Sequence, residues 1–287
     1  MEALIDRLKK LESLPSHPGV LAELSIALGR DDVSASEIES IVSLDTALVG
    51  SAIKRANSAA FAGMVHVESL KDAVTRLGNQ GLLAVAAAQN TKGPLDDAGR
   101  AYGLPPGGMW YGARAGALVA ASIAQNTGLA SPSVCFTGGL LRDCGKVAMD
   151  FLFTDGEIES MLANRERSTD VIKLEHETFG LDHAEVGEQL ALGWGLSADL
   201  ATAIRLHHTP SEGEETNIVA DIVHCADALC AMLGLGVGVD GLSYTLDLGA
   251  RDRVGIGMAE MHIYLAELTG HIKELGPIPH LSGSELK

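Results

Sequence analysis

Signals that start α-helices recur along this chain, and no stretch shows the apolar-polar alternation that marks a β-strand. Ser34 is followed by Glu37, and Asp182 by Glu185, and both pairs have the spacing of a helical capping box. Apolar residues at helical spacing come after each pair. Because 46% of the residues are hydrophobic, the chain is able to bury a sizeable core. We therefore predict an all-α fold.

Three further helices have readable boundaries. One is predicted to run from a cap at Ser69 to a stop at Gly78. Another follows a cap at Ser197 and ends at His207-His208. The last strong helix is predicted near residues 257–275.

A stretch rich in glycine and proline, residues 92–109, is the best candidate for a boundary between two helical lobes. We predict an N-terminal lobe over residues 1–100 and a second lobe over residues 101–276. Residues 277–287 are expected to form a loose tail.

The net charge of −17 is concentrated in the second part of the chain. Residues 1–100 carry 10 basic and 13 acidic side chains, whereas residues 101–287 carry 11 and 25. This balance disfavours a broad basic face for nucleic acid, and only a small basic spot at Lys54-Arg55 remains.

The four cysteines form no Cys-x-x-Cys pair, which argues against a structural zinc site. Reduced thiols are the default and are typical of the cytoplasm. The first residues, MEALIDRLKKLESL, are charged and do not resemble a signal peptide. No uninterrupted apolar run approaches the ~20 residues that span a bilayer. We expect a cytoplasmic protein without a membrane segment.

Candidate functional side chains all fall in the second lobe. Histidine and aspartate together are the usual ligands of hydrolytic metal sites. None of the candidates has the tight local spacing of a motif such as HExxH. They are Arg142, Asp143, Lys146, His183, His207, His208, His224 and Asp227.

Each candidate also fits a purely structural role, which the sequence leaves open. Adjacent residues in a helix point about 100° apart, so His207-His208 fit a helix C-terminus as well as a ligand pair. His183 fits a first helical turn, and Lys146 fits a solvated position beyond a glycine. His224 and Asp227 have the spacing of a local hydrogen-bonded pair.

Six segments, taken in order, resemble the HDOD domain family. In the first lobe they are LPSHPGVLAEL (14–24), IVSLDTALVGSAIKRANSAAFAG (41–63) and SLKDAVTRLG (69–78). In the second lobe they are TGGLLRDCGK (137–146), GLDHAEVGEQLALGWGLSADLATAIRLHHTP (180–210) and VHCADAL (223–229). The resemblance implies an all-helical fold related to HD-type metal-dependent phosphohydrolases. It also implies a regulatory role in bacterial signalling, generally without catalysis.

The HD pattern implied by this resemblance is incomplete here. Histidine is expected where Arg142 precedes Asp143, and again where WYGA places Gly112. Glycine offers no ligand atom and arginine stays protonated, so neither residue binds a metal. We therefore expect no metal and no other cofactor in this degenerate pocket, although Lys146 keeps its place. If a metal binds, the implied ligands are Asp143, His183, His207, His208 and Asp227.

Two functions follow as expectations. The first is a regulatory binding module that contacts a protein partner, or a small anion through Arg142, and is not an enzyme. In this case Arg142 replaces the charge of the metal and is neutralised by Asp143 or Asp227, unless it points to solvent. The alternative is a residual metal-dependent phosphohydrolase that uses the retained histidines and aspartates.

Overall fold

The computed structural model consists of α-helices joined by turns, and no strand occurs in the residues it describes, which confirms the all-α prediction. Those residues are 4–9, 11, 14, 16–30, 32–61, 65–89, 99–105, 107–164, 170–213, 215–238 and 244–274. The helices are α1 (Leu4–Lys9), α2 (Pro18–Leu28), α3 (Ala35–Val42), α4 (Thr46–Ala56), α5 (Leu70–Ala87), α6 (Gly108–Thr127), α7 (Pro132–Leu141), α8 (Cys144–Leu152), α9 (Asp155–Asn164), α10 (Val171–Phe179), α11 (His183–Gly193), α12 (Ala198–Arg205), α13 (Ile218–Met232), α14 (Leu248–Val254) and α15 (Met258–Glu274). None of these helices is long and apolar enough to cross a membrane.

The predicted caps start their helices. Ser34, Ser69 and Ser197 each accept a hydrogen bond from the backbone N–H three residues further on. Asp182 does the same at α11, and Glu185 returns a bond to the Asp182 backbone, which completes the capping box. These local interactions fix where α3, α5, α11 and α12 begin.

The predicted stop at Gly78 is wrong. α5 continues to Ala87, and Gly78 forms a kink within it at φ 57° and ψ −177°. Glycine adopts this φ without steric cost, so the chain changes direction there without unwinding further. Leu82 and Val85 beyond the kink are buried, and their burial holds the second half of the helix.

The two predicted lobes share a hydrophobic core. Leu48 and Ile53 of α4 belong to the same cluster of buried side chains as Leu140 of α7 and Met149 of α8. A second cluster, which contains Ile123, lies within the predicted second lobe. Most of the predicted boundary (residues 92–98) and the tail (277–287) lie outside the described residues.

Asn57 and Trp194 join the two lobes. The side-chain amide of Asn57 donates to the carbonyl oxygen of Gly195 at 3.1 Å. The indole of Trp194 packs so closely on Gly50 that a Cβ atom there would lie 2.4 Å from the ring. Asn57 is also the C-cap of α4, in agreement with its interpretation as a turn or cap residue. The joint holds the end of α11 opposite to His183, which lies in the site described next.

Candidate functional site

Helix ends bring most of the predicted site residues together. One group lies at the junction of α7 and α8, one begins α11, one follows α12, and one lies on α13. The residues that meet there are Arg142, Asp143, Lys146, His183, His207, His208 and Asp227.

Asp143 and three histidines form what we call the Asp/His cluster. Oδ1 of Asp143 lies 3.6 Å from Nε2 of His183 and 3.9 Å from Nε2 of His207. Nε2 of His183 lies 3.0 Å from Nε2 of His208. One donor atom from each of the four residues lies within 4.8 Å of the other three, a spacing at which they could hold one metal ion.

The end of α12 explains why His207 and His208 point to the same place. α12 stops at Arg205, and Leu206 has φ −100° and ψ 7°, outside helical geometry. Because the two histidines follow the helix, the 100° separation of adjacent helical residues does not apply to them. Their ring centroids lie 4.1 Å apart.

Outer hydrogen bonds orient two of the imidazole rings. Nδ1 of His183 donates to a carboxylate oxygen of Glu175 at 2.7 Å, and Glu175 also accepts from the hydroxyl of Tyr102 at 2.7 Å. Nδ1 of His207 donates to the carbonyl oxygen of Ile204 at 2.7 Å. A proton on Nδ1 of each neutral ring leaves Nε2 with its lone pair facing the cluster, which is the form that binds metals.

The sequence analysis missed Glu175 and Tyr102. Glu175 is fully buried on α10. A weak signal existed, since Glu175 lies on the same helical stripe as the apolar residues Val171 and Leu174. A carboxylate in such a stripe calls for a buried partner. Tyr102 follows the glycine-rich stretch and has no comparable signal.

Two atoms of the cluster are buried without a hydrogen bond in the described part of the chain. They are Oδ1 of Asp143 and Nε2 of His207. Oδ1 of Asp143 does have an ion-pair partner, because Nζ of Lys146 lies 3.0 Å away. Nε2 of His207 has no such compensation, so this atom is the strongest indication of a water molecule or ion in the cluster.

Arg142 is buried, with 2% of its side chain exposed, so the alternative that it points to solvent is wrong. Its Nε lies 2.6 Å from Oδ1 of Asp227 and 3.3 Å from Oδ2 of Asp143. Nη1 and Nη2 donate to the carbonyl oxygens of Gly139 and Gly112 at 2.7 and 3.2 Å. Burial opposes the charge, but the two carboxylates outweigh it and raise the pKa of Arg142 above its ordinary value. All three nitrogens are engaged with the protein, which disfavours Arg142 as an anion contact.

Lys146 is also buried, so its interpretation as a solvated residue is wrong. Gly145 does not end a helix but lies inside α8, where a Cβ atom would be 1.9 Å from the carbonyl oxygen of His183. This close packing turns the first turn of α8 toward α11. Lys146 therefore pairs with Asp143 and lies over the ring of Tyr102, 5.6 Å from its centroid.

His224 and Asp227 do not form the local pair that their spacing allowed. Nδ1 of His224 contacts the carbonyl oxygen of His207 at 2.7 Å, and Nε2 accepts from the backbone N–H of Asp247 at 2.8 Å. Asp227 instead binds Arg142. His224 thus supports the loop that carries His207 and adds no atom to the cluster.

Gly112 lies where the resemblance calls for a histidine, but backbone fills the space around it. A Cβ atom on Gly112 would lie 2.5 Å from the Cα atom of Gly236. The cavity next to this contact has a volume of only about 10 Å³, room for about one water molecule. It is lined by Asp143, Lys146, Asp227, Ala231, Leu235, Gly236, Val237 and Tyr244.

The charges of the site balance one another. Burial would raise the pKa of Asp143, but Lys146 and Arg142 hold it well below its usual value. Burial lowers the pKa of His207 to about 4, and burial beside two other histidines lowers that of His208 well below its ordinary value. Near pH 7, Arg142 and Lys146 therefore offset the carboxylates of Asp143 and Asp227, and these two histidines are neutral.

The low pKa of His207 predicts a loss of stability in mild acid. Its pKa is 6.5 when unperturbed and about 4 in the folded protein, so the unfolded chain binds more protons between these values. Stability is therefore retained above about pH 6.5 and falls toward pH 4. We expect the free energy of unfolding to drop by about 2 kcal/mol between pH 7 and pH 5 from this group.

Urea unfolding at both pH values measures the effect. His207→Gln should remove this part of the pH dependence, whereas the same change at the exposed His262 should leave it intact. Equal pH dependence in wild type and His207→Gln contradicts the assignment.

Known proteins share this fold. The MmoQ response regulator from Methylococcus capsulatus str. Bath superposes with a TM-score of 0.66 at 23% identity, over 88% of this chain and 98% of that one. An HDOD domain protein of unknown function from Geobacter sulfurreducens gives 0.53 at 23% identity, over 95% and 94% of the two chains. Likeness at these identities shows the fold alone.

Sequence comparison gives the family. An uncharacterized protein from Treponema pallidum (strain Nichols) is 28% identical over 214 residues, which is 72% of this chain but 40% of that protein. The present chain thus spans less than half the length of this relative. The family model described as HDOD domain matches residues 14–210, which include the Asp/His cluster but not Asp227. The chain belongs to the HDOD domain family.

Proposed function

We propose that this HDOD protein is a regulatory binding module of a bacterial signalling system, which acts by binding a protein partner and not by catalysis. The observation that carries the proposal is the closed and charge-balanced pocket at the Asp/His cluster. A signalling role agrees with the fold neighbour described as a response regulator. The described cysteines are all free, as expected for the cytoplasm, where we place the protein.

The size of the pocket argues against a phosphoester substrate. Small-molecule sites have volumes of roughly 300–1,000 Å³. The cavity beside Asp143 and Lys146 has about 10 Å³. Arg142, which was a candidate anion contact, is held by Asp227 and two backbone carbonyls. The pocket is better suited to stabilising the second lobe than to binding a nucleotide.

A hydrolase with one metal ion is the second candidate, and the lone pair at Nε2 of His207 favours it. The ligands would be Asp143, His183, His207 and His208, without Asp227, which Arg142 engages. A divalent metal would supply polarisation of a phosphoester oxygen and a bound water of lowered pKa. The donor positions fit one cation. The charge balance opposes it, because Lys146 and Arg142 already neutralise the carboxylates.

Metal content and turnover decide between the two candidates. We expect purified protein to hold well below one equivalent of manganese, iron or zinc by elemental analysis. We also expect no hydrolysis of bis(p-nitrophenyl) phosphate or cyclic dinucleotides when Mn²⁺ or Fe²⁺ is added. Stoichiometric metal together with turnover that Asp143→Ala abolishes would establish the hydrolase instead. Asp252→Ala, an exposed aspartate outside the site, is the matched control.

A further inference from the structure

A groove remote from the Asp/His cluster lies where helices of the two predicted lobes meet. Its volume is about 360 Å³, within the range of ligand sites. Helices α3 and α5 form one side, and α6 and α7 form the other. We call it the inter-lobe groove. Its lining residues are Ala35, Ser36, Glu39, Lys71, Val74, Thr75, Ala121, Pro132, Ser133 and Phe136.

Hydrogen bonds between the lobes fix the walls of the groove. The hydroxyl of Thr137 on α7 accepts from the backbone N–H of Leu70 at the start of α5, at 3.0 Å. Arg114 on α6 donates to the hydroxyl of Ser40 on α3, also at 3.0 Å. A groove whose walls are held in this way is preorganised, so an occupant does not have to order it.

The floor and the rim of the groove differ in chemistry. Val74 and Phe136 contribute apolar surface from opposite lobes. Glu39 is partly buried at the rim, and in the described part of the chain no hydrogen bond or ion pair reaches its carboxylate. Burial raises the pKa of Glu39, whereas Lys71 lowers it without forming an ion pair. Asp72, the other nearby charge, already accepts from the hydroxyl of Ser69.

This combination specifies the occupant. An apolar floor takes an apolar side chain, and a partly desolvated carboxylate without a partner favours a cationic donor. The negative charge of the whole chain, −17, attracts a basic partner over a longer range. We infer that the inter-lobe groove binds a segment of a partner protein that presents apolar side chains next to arginine or lysine. The inference rests on the proposed partner-binding function but uses a surface separate from the Asp/His cluster.

Peptide titration tests the inference on the full-length protein. The probe is acetyl-Leu-Arg-Leu-Arg-amide, and the readout is the shift of backbone amide resonances in ¹⁵N-labelled protein. We expect saturable shifts near Glu39, Thr75 and Phe136, with a dissociation constant on the order of 1 mM. Acetyl-Leu-Glu-Leu-Glu-amide should bind at least about tenfold more weakly, and so should acetyl-Ser-Arg-Ser-Arg-amide.

Two variants localise the binding. Glu39→Gln should weaken the Leu-Arg peptide roughly tenfold, as expected for the loss of a charge-assisted hydrogen bond. Thr75→Trp, at an exposed position on the rim, should block the groove. Glu177→Gln removes the same charge from an exposed site on α10 and should leave the affinity unchanged.

Three results would overturn the inference. They are no shifts at about 10 mM peptide, equal binding of the arginine and glutamate peptides, and shifts confined to other surfaces. Shifts on another surface reject the groove while the partner-binding function stands. Metal-dependent turnover in the assay described above would reject that function while a positive groove titration stands.

Discussion

Replacing Asp227 with alanine is expected to lower the free energy of unfolding by about 3–5 kcal/mol, because it leaves the buried charge of Arg142 without its nearest carboxylate. The two side chains meet at 2.6 Å, and 2% of Arg142 is exposed. Asp143 remains 3.3 Å from the guanidinium, which places the loss near the lower end of that range. Urea unfolding at pH 7 measures it.

An exposed pair of the same type is the matched control. Arg251 and Asp252 also meet at 2.6 Å, but 68% of the aspartate side chain is exposed. Asp252→Ala should therefore cost less than about 1 kcal/mol. The double replacement Arg142→Met with Asp227→Leu should recover most of the loss, because apolar side chains of similar volume remove the unpaired charge. Equal losses in Asp227→Ala and Asp252→Ala would show that Arg142 does not depend on the pair.

Gly112→Ala is expected to lower the stability by more than about 3 kcal/mol, because the added Cβ atom meets backbone and not a flexible side chain. The contact is with the Cα atom of Gly236 at 2.5 Å. Gly112→His, which supplies the ligand that the HD pattern calls for, meets the same obstacle. Thermal unfolding followed by circular dichroism measures both changes.

Gly193→Ala controls for the helical substitution itself. Gly193 lies exposed in α11, and no atom is within 4 Å of a Cβ placed there. Alanine at such a position is expected to stabilise the helix by up to about 1 kcal/mol. A Gly112→His protein with the stability of the wild type and one bound metal would contradict this account. It would show that the pocket still accepts the missing ligand.

Features of the fold that depend on neighbouring residues could be predicted from the sequence. A serine or aspartate cap needs only the backbone N–H groups two or three residues further on, so α3, α5, α11 and α12 begin where expected. The end of a helix depends more on packing. Gly78 has the left-handed φ of a stop signal, yet burial of Leu82 and Val85 continues α5 past it.

The candidate site divides in the same way. The sequence identified the residue types that meet, because histidine, aspartate and lysine in apolar helices are costly without partners. It did not determine which charges pair. Lys146 was placed in solvent and His224 beside Asp227, and both assignments failed because packing around Gly145 and the loop at His207 decides where those side chains point.

By itself the sequence determined the helical class, the helix starts, the HDOD resemblance and the loss of two metal ligands, all of which follow from residue identity and local spacing. Only the tertiary structure decided that Asp227 serves Arg142 and that Gly236 fills the space at Gly112. It alone decided that Glu175 orients His183 and that a groove forms between the lobes. The physical reason is that these contacts join residues tens of positions apart, and the close packing of helices, which no local pattern encodes, sets their distances.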